Sequence, residues 1–311
     1  MRREMAPMPA IPRQSDFGIH EVWADNLETE FAALRAAVDK YPFISMVSYG
    51  VGNPADCQDT EFPGIVARPI GTFKTGSDYH YQTMRCNVDM LKIIQLGITL
   101  CDEEGNSPEG MTWQFNFQFN LADDMYAPES IELLKNSGID FKRNQEDGID
   151  VEYFGELLVT SGLVLFPNIK WVSFHSGYDF GYLLRILTCE PLPATENDFF
   201  RLLFIWFPCI YDIKHVVRSV KTLRGGLQEI AESLGIQRIG PQHQAGSDSL
   251  LTAAVFFRIR STYFNNELDD NYYKNYLYGF SSGRSPRPPG ETTKPPSPTP
   301  AAQLLGGEKP Y

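Results

Sequence analysis

Two acids one position apart, Asp59 and Glu61 in the run DTEFPG, are the residues of this chain best spaced to do chemistry. Successive strand side chains point to opposite faces, so these two carboxylates share a face and enter one small volume. Each disfavours ionisation of the other unless a cation sits between them, which makes the pair a candidate divalent-metal site. Two further acids stand in related settings: Asp179 in FHSGYDFGYLL and Asp248 in HQAGSDSLLTAA. Asp179 follows the run KWVSFH after a short turn, and Asp248 opens a long helical pattern with Ser247 as its candidate cap. A plainer reading fits each of them alone, because first-turn acids offset the partial positive charge of a helix N-terminus.

A base is the other group that hydrolytic chemistry needs. His243 lies five positions before Asp248 in a Gly- and Gln-rich loop, and His175 competes from a strand end near Asp179. A lone histidine is commonly a hydrogen-bonded structural residue, so neither is a base on type alone. Lys214, His215, Arg218, Lys221 and Arg224 could guide phosphates, although a solvated helix face explains such a cluster equally well. Gly50–Ala55 formally matches G-x-G-x-x-A, but a dinucleotide site needs a helix to open there. Pro54, Pro63 and Gly64 oppose that helix.

These residues need a frame. Helical spacing marks residues 26–40 (with Asp25 as cap), 77–91, a short stretch after Pro128, 151–161, 178–187, 197–207, 214–220, 227–234 and 247–263. Strand-like runs lie at 43–46, 92–100, 112–120, 170–175 and 210–212. An antiparallel meander followed by strands alternating with helices predicts an α/β domain with a mixed sheet covered by helices. Residues 1–18 read as a disordered leader and 281–311 as a Pro-rich disordered tail, leaving one domain at 19–280. The tail's PPSPTP could serve a proline-binding domain, a plain extension being the commoner case.

With 311 residues, 42% hydrophobic and 13% aromatic, the chain can bury a large core. A net charge of −12 excludes a basic surface of the kind that captures nucleic acid non-specifically. An anionic ligand would have to be handled locally, by metals and a few basic side chains. Cys57, Cys86, Cys101, Cys189 and Cys209 are odd in number and scattered, arguing against zinc modules and disulfide frameworks. No signal-peptide or membrane-spanning run is read; FFRLLFIWFPCIY is broken by Arg201 and Pro208, and a cytoplasmic and nuclear location is expected.

The motifs DTEFPG, FHSGYDFGYLL, GGLQEIAE and IGPQHQAGSDSLLT together resemble the catalytic deadenylase subunit of the CCR–NOT complex, over roughly residues 19–283. That family belongs to the DEDD exonucleases, which share an RNase H-like fold. The resemblance implies metal-binding acids at Asp59, Glu61, Asp179 and Asp248 and a general base at His243. It implies two divalent ions, Mg2+ or Mn2+, and removal of AMP from the 3′ end of messenger RNA poly(A). Two such ions, about 4 Å apart, stabilise the attacking and leaving oxygens of an in-line displacement. Phe62 could contact the terminal base or sugar, a core role being equally open. Implied partners are the NOT scaffold subunit, a second deadenylase and, in some lineages, antiproliferative adaptors.

One segment departs from the family pattern. The family runs from the equivalent of Phe43–Met46 directly into DTEFPG, whereas here the twelve residues Val47–Gln58 intervene. Gly50, Gly52, Asn53 and Pro54 favour a loop, and a looped-out segment would leave the acids on their strand. A shifted strand would instead turn both carboxylates to the wrong face. The Val-Ser start and the terminal Gln are compatible with splice boundaries, so a retained intron also fits. Three functions therefore stay open: a poly(A) exoribonuclease, a catalytically impaired scaffold subunit, and a DEDD exonuclease with another nucleic-acid substrate.

Overall fold

The computed structural model describes residues 17–50 and 66–281. Asp59, Glu61 and Phe62 lie outside the described residues, as do the rest of the Val47–Gln58 segment beyond Gly50, most of the leader and nearly all of the tail.

Among the described residues, β-branched and aromatic runs form β1 (Ile19–Val22), β2 (Phe43–Gly50), β3 (Ile93–Cys101), β4 (Thr112–Asn116), β5 (Lys170–Ser173) and β6 (Ile210–Asp212). They make one sheet in the order β1-β4-β3-β2-β5-β6. The expected antiparallel meander is β2-β3-β4, and β5 and β6 run parallel to β2. This is the mixed sheet of an RNase H-like α/β domain. The unexpected strand is β1, which joins β4 in parallel; its four residues, IHEV, are too few to carry a period-2 signal.

The helices are α1 (Leu27–Ala37), α2 (Gly76–Met90), α3 (Pro128–Asn136), α4 (Phe141–Asp147), α5 (Val151–Val159), α6 (Gly177–Thr188), α7 (Glu196–Trp206), α8 (Ile213–Val216), α9 (Leu227–Ser233), α10 (Ala245–Phe264) and α11 (Asp270–Tyr273). Two starts differ from expectation. Asn26, not Asp25, precedes α1, and its side chain instead accepts the Trp23 amide at 2.8 Å. Ser247 is not the cap of α10, which begins two residues earlier.

The described apolar interior forms three clusters, two of which meet β2 from opposite faces. Ile44 and Met46 of β2 join a core with residues of α1, α2, α5, α6 and α7. Phe43 packs instead with Phe256 of α10 and the residues of α8 and α9. Ser45 also faces α10, its hydroxyl donating to the Ser249 carbonyl at 2.6 Å. Phe43 and Ser45 therefore point to the α10 side, and Ile44 and Met46 to the opposite core. Each large apolar side chain so buried contributes roughly 1.5–3 kcal/mol, which fixes the strand's facing firmly.

Candidate active site

Three segments converge at one end of the sheet: the end of β2, the turn from β5 into α6, and the start of α10. β5 is parallel to β2, so the helix that follows it begins where β2 ends. α10 reaches the same end because Gly97 of β3 has no side chain. A Cβ there would lie 1.8 Å from the Ala245 carbonyl oxygen.

A hydrogen-bonded frame anchors the first turn of α10, which carries Asp248. Side-chain carbonyls receive the orphan helix amides, Gln95 from Ala245 at 3.3 Å and Gln114 from Gly246 at 2.9 Å. The Gln244 side-chain oxygen accepts from the amide groups of both glutamines, at 3.2 and 2.9 Å. Beneath them, Thr99 is in hydrogen-bond contact with Ser249 at 2.8 Å and with Thr112 at 3.0 Å. A buried network this fully satisfied leaves Asp248 little freedom.

Asp248 is 1% exposed, and its carboxylate meets the Arg238 guanidinium. Arg238 also donates to the Ser247 hydroxyl and, through Nε, to Gln228. Burial pushes the Asp248 carboxyl well upward, and the main-chain amide of His243 pulls the other way by donating to it. A guanidinium keeps its proton, so contact with Arg238 favours the ionised acid as well. His243 is thus tied to Asp248 by its backbone, with φ of 61° and its carbonyl accepting from Ser137 at 3.1 Å.

Asp179 sits in the first turn of α6, 2% exposed, and accepts the Ser48 amide at 2.6 Å. The β2–β5 ladder ends at Ser45 with Val172. Beyond that pair, the carboxylate takes the place that a neighbouring strand would fill. Burial raises the Asp179 carboxyl to about 7; the Ser48 amide opposes the rise, and the nearby Asp212 adds to it.

Asp212 is an acid that the sequence did not single out. Fully buried, it accepts main-chain amides from His175 and Lys214 at 2.9 Å, from Tyr278 at 2.9 Å and from Ser176 at 3.4 Å. It clamps the end of β6 to the turn that leads into Asp179. Its place between strand and helix, IYDIKH, is the one available signal. His175 belongs to this clamp, its ring edge-on to Tyr278 with centroids 4.9 Å apart. Arg238 was also missed, having no motif of its own.

The basic cluster splits. Lys214 is buried, donating to the Gly225 carbonyl at 2.8 Å and lying over the rings of Phe174 and Tyr278. His215 stacks on Tyr276 at 5.0 Å. Arg218, Lys221 and Arg224 are exposed. Neither phosphate guidance nor a solvated face describes all five.

The inserted segment corrects an expectation. It begins as strand, not loop: Val47, Ser48 and Tyr49 continue β2 and pair with Gly97, Leu96 and Gln95, and Gly50 follows after an irregularity. Those strand positions are therefore filled by residues other than Asp59 and Glu61. Among the described residues, no group of three or more His, Cys, Asp or Glu could hold a metal ion. Asp179 and Asp248 supply half of a four-carboxylate set, so the described residues do not by themselves fit two ions.

The RNase H-like sheet thus carries two buried acids where α6 and α10 begin. The model of the CAF1 family ribonucleases matches residues 22–156 and 163–256, and the chain belongs to that family. It is 56% identical over 265 residues to the poly(A) ribonuclease pop2 of Schizosaccharomyces pombe, covering 85% of this chain and 75% of that one. It is 51% identical over 279 residues to the probable CCR4-associated factor 1 homolog 7 of Arabidopsis thaliana, covering 88% and 96%. Among solved structures, S. pombe Pop2p in its Mg2+- and Mn2+-bound form superposes with a TM-score of 0.79 at 55% identity, covering 85% of this chain and all of that one (100%). Yeast CAF1, co-crystallized with the NOT1 MIF4G domain, gives 0.68 at 31% identity, covering 87% and 100%.

Proposed function

We propose that this ribonuclease shortens messenger RNA poly(A) tails from the 3′ end, releasing 5′-AMP, with two divalent ions, Mg2+ or Mn2+. The metal carboxylates are Asp59, Glu61, Asp179 and Asp248, and His243 is the base. The observation that carries this reading is the convergence of Asp179 and Asp248 at one sheet end in a chain of the CAF1 family. The poly(A) ribonuclease relative and the Mg2+- and Mn2+-bound neighbour support substrate and ions. The NOT1-bound neighbour supports a NOT scaffold partner. A second deadenylase, antiproliferative adaptors and action in nucleus and cytoplasm complete the proposal.

When bound, the ions would polarise water and phosphodiester. The chain's own contribution is positional. The glutamine frame fixes Asp248, the Asp212 clamp fixes the turn carrying Asp179, and the main chain of His243 rests on Asp248. A neutral imidazole is required of the base.

A second reading rests on a specific observation. Val47–Gly50 fill β2, which favours a full-length chain acting as a non-catalytic partner of the NOT scaffold. The test uses the full-length chain and a 5′-labelled RNA ending in a run of adenylates. The expected product is a one-nucleotide ladder that requires Mg2+ or Mn2+ and vanishes in Asp179→Asn. Equal trimming of uridylate or DNA ends would move the assignment to another DEDD substrate. Metal binding without trimming would leave only the scaffold role.

A further inference from the structure

We propose that Ser137, at the C-terminal end of α3, is a positioning residue that holds the main chain of His243 in place. This rests on the reading of His243 as the base, and it names what orients that base.

His243 has an uncommon backbone. Its φ of 61° lies in the left-handed region, which a residue with a Cβ keeps only where its surroundings enforce it. Both of its peptide groups are fastened, each by a different part of the fold. Its amide donates to the Asp248 carboxylate, in the first turn of α10. Its carbonyl accepts from the Ser137 hydroxyl at 3.1 Å, across 106 residues of chain. The following residue makes a link in the opposite sense, the Gln244 side-chain amide donating to the Ser137 carbonyl at 2.9 Å. Ser137 thus meets His243 with a donor and Gln244 with an acceptor.

The support behind Ser137 is firm. Its own amide donates to the Leu133 carbonyl at 3.0 Å. Its hydroxyl also lies 2.8 Å from the Leu134 carbonyl, so one proton is shared between the helix end and His243. Gly138, with φ of 99°, turns the chain, and the Ile139 amide closes the helix on the Leu134 carbonyl at 3.0 Å. Ile131 and Leu134 of α3 share a buried cluster with Ile139, Phe141 and Ala245, the first residue of α10. α4 ties the same unit to the sheet, the Asn144 side chain donating to the Phe117 carbonyl at 2.8 Å. α3 therefore stands against the start of α10, and its end reaches the peptide that follows His243.

The anchors divide the work. Arg238 acts on Asp248, and the glutamine frame on residues 244–246, whereas Ser137 acts on the His243 carbonyl. Loss of the hydroxyl removes that last bond and lets a left-handed residue relax, which moves the imidazole. Asp248 keeps its own partners and stays where it is.

The test compares the full-length chain with Ser137→Ala, Ser137→Thr and His243→Gln. Labelling histidine with 13C at Cε1 gives five ring signals in NMR spectra recorded in EDTA, one for each histidine of the chain. The signal lost in His243→Gln is that of His243. Ser137→Ala should displace or broaden it while those of His80 and His215 stay in place, and Ser137→Thr, which keeps the hydroxyl, should restore it. On 5′-labelled adenylate-tailed RNA in Mn2+, Ser137→Ala should lose about 10-fold in kcat with KM nearly unchanged, as a slightly misplaced reacting group does. Ser137→Thr should recover most of that loss. Should Ser137→Ala fail to fold, Ser137→Cys, with a much weaker donor of similar size, carries the same comparison. An unmoved His243 signal would overturn the proposal, as would equal losses in the alanine and threonine variants or a loss carried by KM alone. A displaced signal would uphold the positioning of His243 even where the unsubstituted chain trims nothing, or where His243→Gln trims as well as it does. Either of those two results would refute only the reading of His243 as the base.

Discussion

At the scale of residues, two buried acids are held in different ways, and each makes its own prediction. Asp248 rests on Arg238, an ion pair almost wholly removed from water. Removing one partner of such a pair leaves an uncompensated buried charge and costs about 3–5 kcal/mol. Arg238→Met should lower the urea midpoint of the full-length chain accordingly; an unchanged midpoint would mean that the pair does not hold the site. Asp179 differs, because burial lifts its carboxyl from 3.8 to about 7. The folded chain therefore binds a proton that the unfolded chain releases across that window. Stability from this group is greatest near pH 4 and is lost as pH rises to about 7. In EDTA, Asp179→Asn should flatten the decline in denaturation midpoint between pH 5 and pH 7, and an unaltered slope would assign the proton elsewhere. Asp179 and Asp248 were legible because strand–turn–helix patterns put an acid in a first turn. Arg238 and Asp212 were not, since their roles come from partners 10 and 36–37 residues away in the chain.

At the scale of elements, the placement of α10 decides whether the site exists. Gly97 has the Ala245 carbonyl where its Cβ would stand, and backbone cannot yield as a flexible side chain can. Gly97→Ala should therefore cost at least about 1–3 kcal/mol, the usual range for overpacking. It should also weaken metal binding, because the displaced turn carries Asp248. A loss of stability with metal affinity unchanged would separate the helix start from the site. The long helix was visible in the spacing of Leu251, Val255 and Ile259, but its first residue was not. Sequence points to Ser247 as a cap, whereas Gln95 and Gln114, both over a hundred residues earlier, receive the first amides. Likewise, Gly50 suggested a loop, yet β3 offers a complete ladder edge and the inserted residues take it.

At the scale of the whole molecule, the mixed sheet belongs to a chain of the CAF1 ribonuclease family, and the net charge is −12. Of the motifs that revealed the family, those within the described residues each span one turn and the start of the helix that follows, which is why they could be read in sequence. The strand register could not, because it depends on which of two segments, twelve residues apart, pairs with β3. The central claim is that the chain trims adenylate tails at a site that Asp179 and Asp248 help to build. It is tested most directly by following, in Mg2+ or Mn2+, the length of a 5′-labelled adenylate-tailed RNA with the full-length chain and with its Asp179→Asn variant. The account predicts stepwise shortening by the first and an intact tail with the second over the same interval. Equal shortening by both chains would contradict it.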